Sequence, residues 1–275
     1  MCSSDLLIHN FGTMTKPLHA GLVGRDGVTA VQLAQMGMTA GDQVIEHPFG
    51  FANVVLGEGV YDLDRMADNM GKPFRTQDAL MIKKYPCCGG NHAMLDSLFS
   101  LMRDNDFTYD DVADAEIDQS YFSVVMLYQE PEDELKGKFS AKYNVAAALV
   151  DGEVSIDTFT QDKIDDETMN DTMGKVRTRV MAKSEELLTE SADGPKVKIT
   201  LKDGRVFEHT TAREDTLGSQ KNPWGFDAIK DKFQDNVSRV LSPDGTAKAI
   251  ETWENIPEMT DIATAIRSTL VAEKS

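Results

Sequence analysis

Asn10-Phe11-Gly12-Thr13-Met14-Thr15-Lys16-Pro17-Leu18-His19-Ala20-Gly21 sets a cation and an imidazole three residues apart around a proline. Pro17 suits the first position of a helix, and Thr15 ahead of it can serve as the cap. Leu18, Val23, Val28, Val31, Leu33 and Ala34 continue at helical spacing, which predicts a helix from Pro17 to about Met38. Lys16 then stands beside the open N–H groups and the positive end of that helix, a place that suits an anion. A lysine there is unfavourable unless something negative is bound. Lys16 is therefore either an anion binder or a surface lysine on an ordinary capped helix. His19 falls one turn on, on the same side, as a ligand contact or a helix-packing residue.

Working outward, Gly21, Gly24 and Gly27 each weaken this helix by up to ~1 kcal/mol relative to alanine. Their spacing suggests that another helix backbone comes close. They do not follow a strand, which disfavours a dinucleotide-binding fingerprint and with it a nucleotide-dependent oxidoreductase. Phe51 to Leu56 reads as a short helix after the loop Pro48-Phe49-Gly50. From about residue 76 the pattern changes. A helix from His92 through Arg103 carries Met94, Leu95, Leu98, Leu101 and Met102 on one face. Thr108-Tyr109-Asp110-Asp111 signals a capped single turn, and Ala115 to Leu127 alternates as a strand. Asn144 to Val150 is an alanine-rich helix stopped by Asp151-Gly152. A helical cap at Asp165 precedes a strand over Lys175 to Val180. Lys196 to Arg213 reads as a hairpin turning at Asp203-Gly204. Helices return over Phe226–Val240, which Pro243 breaks, then about Thr246–Asn255 and Met259–Ala272. The fold class expected is α+β: an all-helical domain, partial and discontinuous, with a smaller α+β domain inserted. The boundaries are 1–75 helical, 76–215 α+β lid, and 216–275 helices packing back on the first part.

The 275 residues carry a formal net charge of −18 and a pI near 4.6. That excess argues against nucleic acid or an anionic membrane surface as partner. No stretch approaches the roughly 20 apolar residues of a membrane span, and no basic-then-apolar leader opens the chain. Three cysteines, two of them adjacent, make no disulfide framework, so a reducing cytoplasm is the expected location. An acidic chain that binds an anion must gather its cations, which draws attention to Lys16, Lys83 and Lys84.

His92 follows Gly89-Gly90-Asn91 at a helix start, where backbone N–H groups can approach a ligand and an imidazole stays neutral more easily. It is either a base or hydrogen-bond donor, or a capping histidine. Cys87 and Cys88 are not spaced for zinc and read as packing residues. Tyr143 is either a hydroxyl donor to a carboxylate or a packed aromatic. Lys138 and Lys142 read as solvated, with a second cation as the alternative.

Three stretches stand in a telling order: Gly12 to Gly21 above, Lys84-Tyr85-Pro86-Cys87-Cys88-Gly89-Gly90-Asn91-His92, and Lys138-Phe139-Ser140-Ala141-Lys142-Tyr143 running on through Asn144 to Gly152. On these the chain resembles the MmgE/PrpD family, which includes 2-methylcitrate dehydratase, cis-aconitate decarboxylase and iminodisuccinate epimerase. The resemblance implies a lyase, foremost of the 2-methylcitrate dehydratase type, with decarboxylase or epimerase activity as the alternative. It implies proton abstraction beside a carboxylate of a small di- or tricarboxylate, with no metal and no organic cofactor, in a cytoplasmic homodimer. Lys16, His92 and Tyr143 are then the catalytic candidates, and Thr15, His19 and Gly90 the substrate-binding ones. Members are usually far longer, and a helical region ahead of the lysine motif adds an aspartate and a histidine to the site. The resemblance therefore implies that this chain presents about half of a site, as an incomplete enzyme or as a non-catalytic fragment or subunit.

Overall fold

Thr15 does not cap the first helix; the cap position is Met14, whose side chain makes no capping bond. Gly12 turns the chain at a φ of 77°, and the Thr13 hydroxyl then donates to the Asn10 carbonyl at 2.7 Å and accepts the Thr15 N–H at 3.3 Å. Helix α1 spans Thr15–Gln35, so Thr15 is its first residue and Pro17 its third. The computed structural model describes residues 8–68, 70–72, 74, 80–119, 127–180 and 194–270. Within α1 only His19 is buried, while Val28 and Val31 are 60% and 59% exposed. No atom lies within 4 Å of where a Cβ would sit on Gly21, Gly24 or Gly27, so the close helix expected at those glycines is not among the described residues. Helix α2 (Phe51–Leu56) has the predicted bounds, and a short turn at Leu63–Ala67 is capped by the Asp62 carboxylate. Phe49, Val54 and Met66 also face outward.

The next part is built on a sheet. Helix α3 (His92–Asp104) buries Met94, Leu95 and Leu98 completely. Each such side chain contributes about 1.5–3 kcal/mol by leaving water. Strand β1 (Val112–Gln119) starts three residues before the expected strand, and residues 120–126 of that expectation lie outside the described residues. Helix α4 (Ala141–Asp151) is opened by the Ser140 hydroxyl, which accepts the Tyr143 N–H at 3.1 Å, and closed by Gly152 in the left-handed region. Helix α5 (Glu167–Gly174) has Asp166 as its cap. Strands β2 (Val176–Val180), β3 (Lys196–Leu201) and β4 (Val206–Thr210) complete a sheet of order β2-β1-β3-β4. β1 runs parallel to β2 and antiparallel to β3, and β3 and β4 form the predicted hairpin.

Alternation along the strands separates two faces. Ala115, Ile117, Val176, Val197, Ile199 and Leu201 are buried together with α3 and α4 in one core. The other face carries a cross-strand charge ladder. Arg177 donates twice to Asp114, at 2.6 and 2.7 Å; Arg179 donates twice to Asp118, at 2.9 and 3.1 Å; Lys198 reaches Glu116 at 2.8 Å. This solves the charge problem of the strand face locally, since each acid of β1 finds a base on a neighbouring strand.

Residues up to Asn222 form one compact unit and those from Pro223 a second. Among its described residues the second unit holds three α-helices, α6 (Phe226–Ser238), α7 (Pro243–Glu254) and α8 (Ile262–Leu270). Pro243 does not merely end the preceding helix. It is the first residue of α7, where its missing N–H costs nothing, and the Ser242 hydroxyl caps it by accepting the Gly245 N–H at 3.1 Å. Phe233 and Trp253 meet edge to face at 6.4 Å, and Lys230 pairs with Glu254 at 2.6 Å. The whole architecture is α+β, and no helix among the described residues is long and apolar enough to cross a membrane.

Candidate functional site

The turn Gly137–Ser140 between a short helix and α4 is the junction of all three sequence motifs. From the first motif, the Phe11 ring lies 5.5 Å from the Phe139 ring, and Lys16 Nζ stands 4.8 Å from the first centroid and 5.8 Å from the second. From the second, the Cys88 N–H and the Asn91 side-chain amide both donate to the Lys138 carbonyl, at 2.9 and 3.4 Å. From the third, Asn144 donates to the carbonyls of Gly137 and Ser140, at 2.9 and 2.7 Å. Tyr128, which no motif contains, ties the first stretch down: its hydroxyl donates to the Phe11 carbonyl at 2.7 Å and its ring covers Gly12.

The candidate residues take distinct places around this junction. Lys16 is exposed in the first turn of α1. His19, one turn on, is buried, and Thr15 is half-buried. Gly90 is exposed in the turn Gly89–Asn91 that leads into α3, and His92 is the first residue of that helix. The His92 ring is fully buried and meets the Tyr85 ring edge-on at 5.1 Å. Tyr143 is also in the core. Its ring packs against Gly137 and Phe159, and its hydroxyl donates to the Thr158 carbonyl at 2.6 Å. Burial first, and then the charges of Asp151 and Asp166, push the phenol above its usual range, so it stays protonated. In this geometry the Tyr143 hydroxyl donates its one proton within the core, beneath the junction.

The lysines show the more informative pattern. Lys16, Lys84 and Lys138 each lie over aromatic rings, Lys84 over Tyr85 at 5.0 Å and Lys138 over Phe159 at 5.6 Å. None of the three makes an ion pair among the described residues, in a chain with 46 acidic residues to 28 basic ones. Lys83 Nζ donates to the Cys87 carbonyl at 3.0 Å, and its chain passes beside Gly89 at the entry to α3. Aromatic faces hold an ammonium group while leaving its charge uncancelled. Cys87 is a poor nucleophile: burial, the largest influence, outweighs the hydrogen bond from Asn91 and pushes its thiol up to about 12. Among the described residues no three of His, Cys, Asp and Glu gather as a metal site.

A family model for the MmgE/PrpD C-terminal domain matches residues 85–256, more than half of the chain. The chain belongs to the MmgE/PrpD family. Among similar proteins are the cis-aconitate decarboxylases of Mus musculus, 23% identical over 278 residues, and of Homo sapiens, 25% identical over 263. The matches cover 94% and 92% of this chain but 53% and 52% of those proteins. The chain thus spans about half the length of the curated relatives it matches. As an MmgE/PrpD protein it has a lyase-type family background and relatives that are enzymes.

The sequence motifs pointed to the three segments but not to what joins them. Tyr128 carries no sequence signal, and nothing in the motifs pairs Phe11 with Phe139, because both contacts join residues more than a hundred positions apart.

Proposed function

We propose that this chain carries the cationic part of a lyase site for a small di- or tricarboxylate. The observation that carries the reading is the convergence of the Lys16 motif, the Gly89-Gly90 turn and the Lys138-Phe139 turn, bringing to one junction lysines that make no ion pair among the described residues. Lys16 and Lys138 would hold carboxylate groups, and the N–H groups at Gly89 and Gly90, at the start of α3, add dipole support. A proton removed beside a carboxylate leaves a dianion-like charge, and fixed cations facing that charge lower the barrier. If the neighbouring carbon carries a hydroxyl, the electron pair forms C=C and hydroxide leaves, taking up a proton as water. In a decarboxylation of an unsaturated acid no C–H proton leaves first: the C–C bond to a carboxylate breaks, carbon dioxide departs, the bonding pair becomes a new C=C, and the pair of the former C=C takes up a proton at its far carbon.

Two assignments fit this chemistry: dehydration of a 2-methylcitrate-like acid, and decarboxylation of a cis-aconitate-like acid. The names of the two relatives favour the second, and the motifs favour neither. The exposed apolar sides of α1 and α2 support further polypeptide over this region in the working enzyme, a second copy or an additional helical segment. Incubating the complete gene product with 2-methylcitrate, cis-aconitate and citrate, followed by proton NMR, tests the assignment. Loss of the substrate signals with growth of an alkene product supports it; inertness toward all three, with no binding of any, removes it.

A further inference from the structure

Lys83 and Lys84 lie on an extended segment held at both ends. At one end the Ile82 N–H donates to the Gly218 carbonyl at 3.0 Å. At the other, the Tyr85 hydroxyl donates to one Asp96 oxygen at 2.8 Å, and the second Asp96 oxygen accepts the Leu217 N–H at 2.9 Å. The two anchors therefore end on neighbouring residues, the first directly on Gly218 and the second, through the Asp96 carboxylate, on Leu217. Gly218 sits at φ 90°, and a Cβ on it would fall 1.9 Å from the Ile82 carbonyl oxygen. That neighbour is backbone, so no side chain can be accommodated without the segment moving. The Tyr85 ring, fixed in this way, stacks on Phe99 at 5.7 Å and supports Lys84 Nζ. Burial, and then Asp96 itself, keep the Tyr85 phenol protonated as a donor.

We infer that Asp96 and Gly218 are positioning residues: the strap Thr216–Gly218 and helix α3 clamp residues 82–85 so that Lys83 is presented at the Gly89-Gly90 turn in one attitude. The inference rests on the carboxylate reading above for its chemistry, but its structural half stands alone. A clamp of this kind matters to ligand affinity because a lysine stem free to wander loses rotamer entropy on binding, whereas a held one does not.

The test uses the complete protein with Gly218→Ala, Asp96→Ala and Asp96→Asn, amide hydrogen exchange, and citrate as the probe in titration calorimetry. Asn at 96 keeps an acceptor for Leu217 and can donate to the Tyr85 oxygen, so it is the rescuing variant. Exchange over residues 82–91 should rise about tenfold or more in Gly218→Ala and Asp96→Ala, while the hairpin 196–210 stays unchanged. Citrate affinity should fall about tenfold in both, as for loss of one hydrogen bond to a charged group, and Asp96→Asn should recover most of it. Unchanged exchange over 82–91 in Gly218→Ala overturns the clamp. Faster exchange with unaltered citrate affinity overturns its positioning role. If the unaltered protein binds no citrate and turns over no acid, the carboxylate reading falls, and the exchange result alone decides for or against the clamp.

Discussion

Replacing Tyr143 by phenylalanine separates a strut from a proton carrier. The Tyr143 hydroxyl and the Thr158 carbonyl meet at 2.6 Å, with Tyr143 1% and Thr158 2% exposed. The substitution leaves the ring, and hence its packing on Gly137 and Phe159, in place. No cavity of methyl size opens. What is lost is one buried hydrogen bond, and what is left is a carbonyl that water cannot easily reach. The expected cost is about 1–3 kcal/mol, against a total of about 5–15 kcal/mol for an ordinary domain. In a domain of this size that lowers the melting temperature by about 2–4 °C per kcal/mol. Tryptophan fluorescence is the wrong probe, because Trp224 and Trp253 both belong to the second unit. Far-UV circular dichroism, or hydrogen exchange over α4, follows the affected unit instead. In the complete enzyme, turnover at saturating substrate should stay within about threefold of the unaltered protein, since positioned proton transfer, worth about 10²–10⁴-fold, is not what the hydroxyl supplies. Full stability together with a loss of that larger size would refute the strut and return Tyr143 to the chemistry.

Lys16→Gln should weaken citrate binding in the complete protein by about tenfold or more. Its effect on stability should stay below about 1 kcal/mol, the value of an exposed cation–π contact; calorimetry and a thermal melt read the two separately. Gly12→Ala should destabilise by about 1–2 kcal/mol for the left-handed backbone alone, and should also displace Tyr128, whose ring would lie 2.5 Å from the new Cβ. A melt, with the Tyr128 ring signals followed by NMR, checks both. Cys87 should resist iodoacetamide at pH 8 in the folded protein and react on unfolding. The sign for stability follows from the same shift: the folded thiol titrates near 12 and the unfolded one near ~8.5. Between those values the unfolded state alone has lost its proton, so the contribution of this group is intact below the lower value and declines as pH rises through the window. Denaturant midpoints for the unaltered protein and Cys87→Ala between pH 8 and 10 measure it.

Local pattern made most of the elements legible, and its failures share one cause. The helix at Phe51–Leu56, the β3–β4 hairpin and α3 follow from residues within a dozen positions of each other. The helix starts went astray where neighbouring or distant side chains decide. Thr15 reads as a cap, but it is the first residue of α1 and its N–H is taken by the Thr13 hydroxyl, just after Tyr128 arrives from 117 residues away to hold the Phe11 carbonyl. Pro243 could end one helix or begin the next, and the Ser242 hydroxyl decides it. The apolar run of α1 shows the limit in the other direction. Periodicity predicts a helix whether or not anything covers the stripe: the helix forms as expected, and Val23, Val28 and Val31 stand in the open.

The candidate site divides along the same line. Which residue types matter could be read from the three motifs, but their chemical availability depends on partners the motifs do not contain. Tyr143 donates its proton to the Thr158 carbonyl, and His92 has its ring closed in under Tyr85, whereas among the described residues Lys16 makes no ion pair and lies against Phe11 and Phe139. In a chain this acidic, leaving an ammonium unpaired runs against the general field. The sheet shows how readily this protein pairs charges when pairing is the aim, with each acid on the outer face of β1 matched to an arginine or lysine across the strand. The contrast between that matched face and the junction lysines, which make no ion pair among the described residues, is the physical argument for an anion there. It stands on charge placement alone, and it does not require His92 or Tyr143 to touch the substrate.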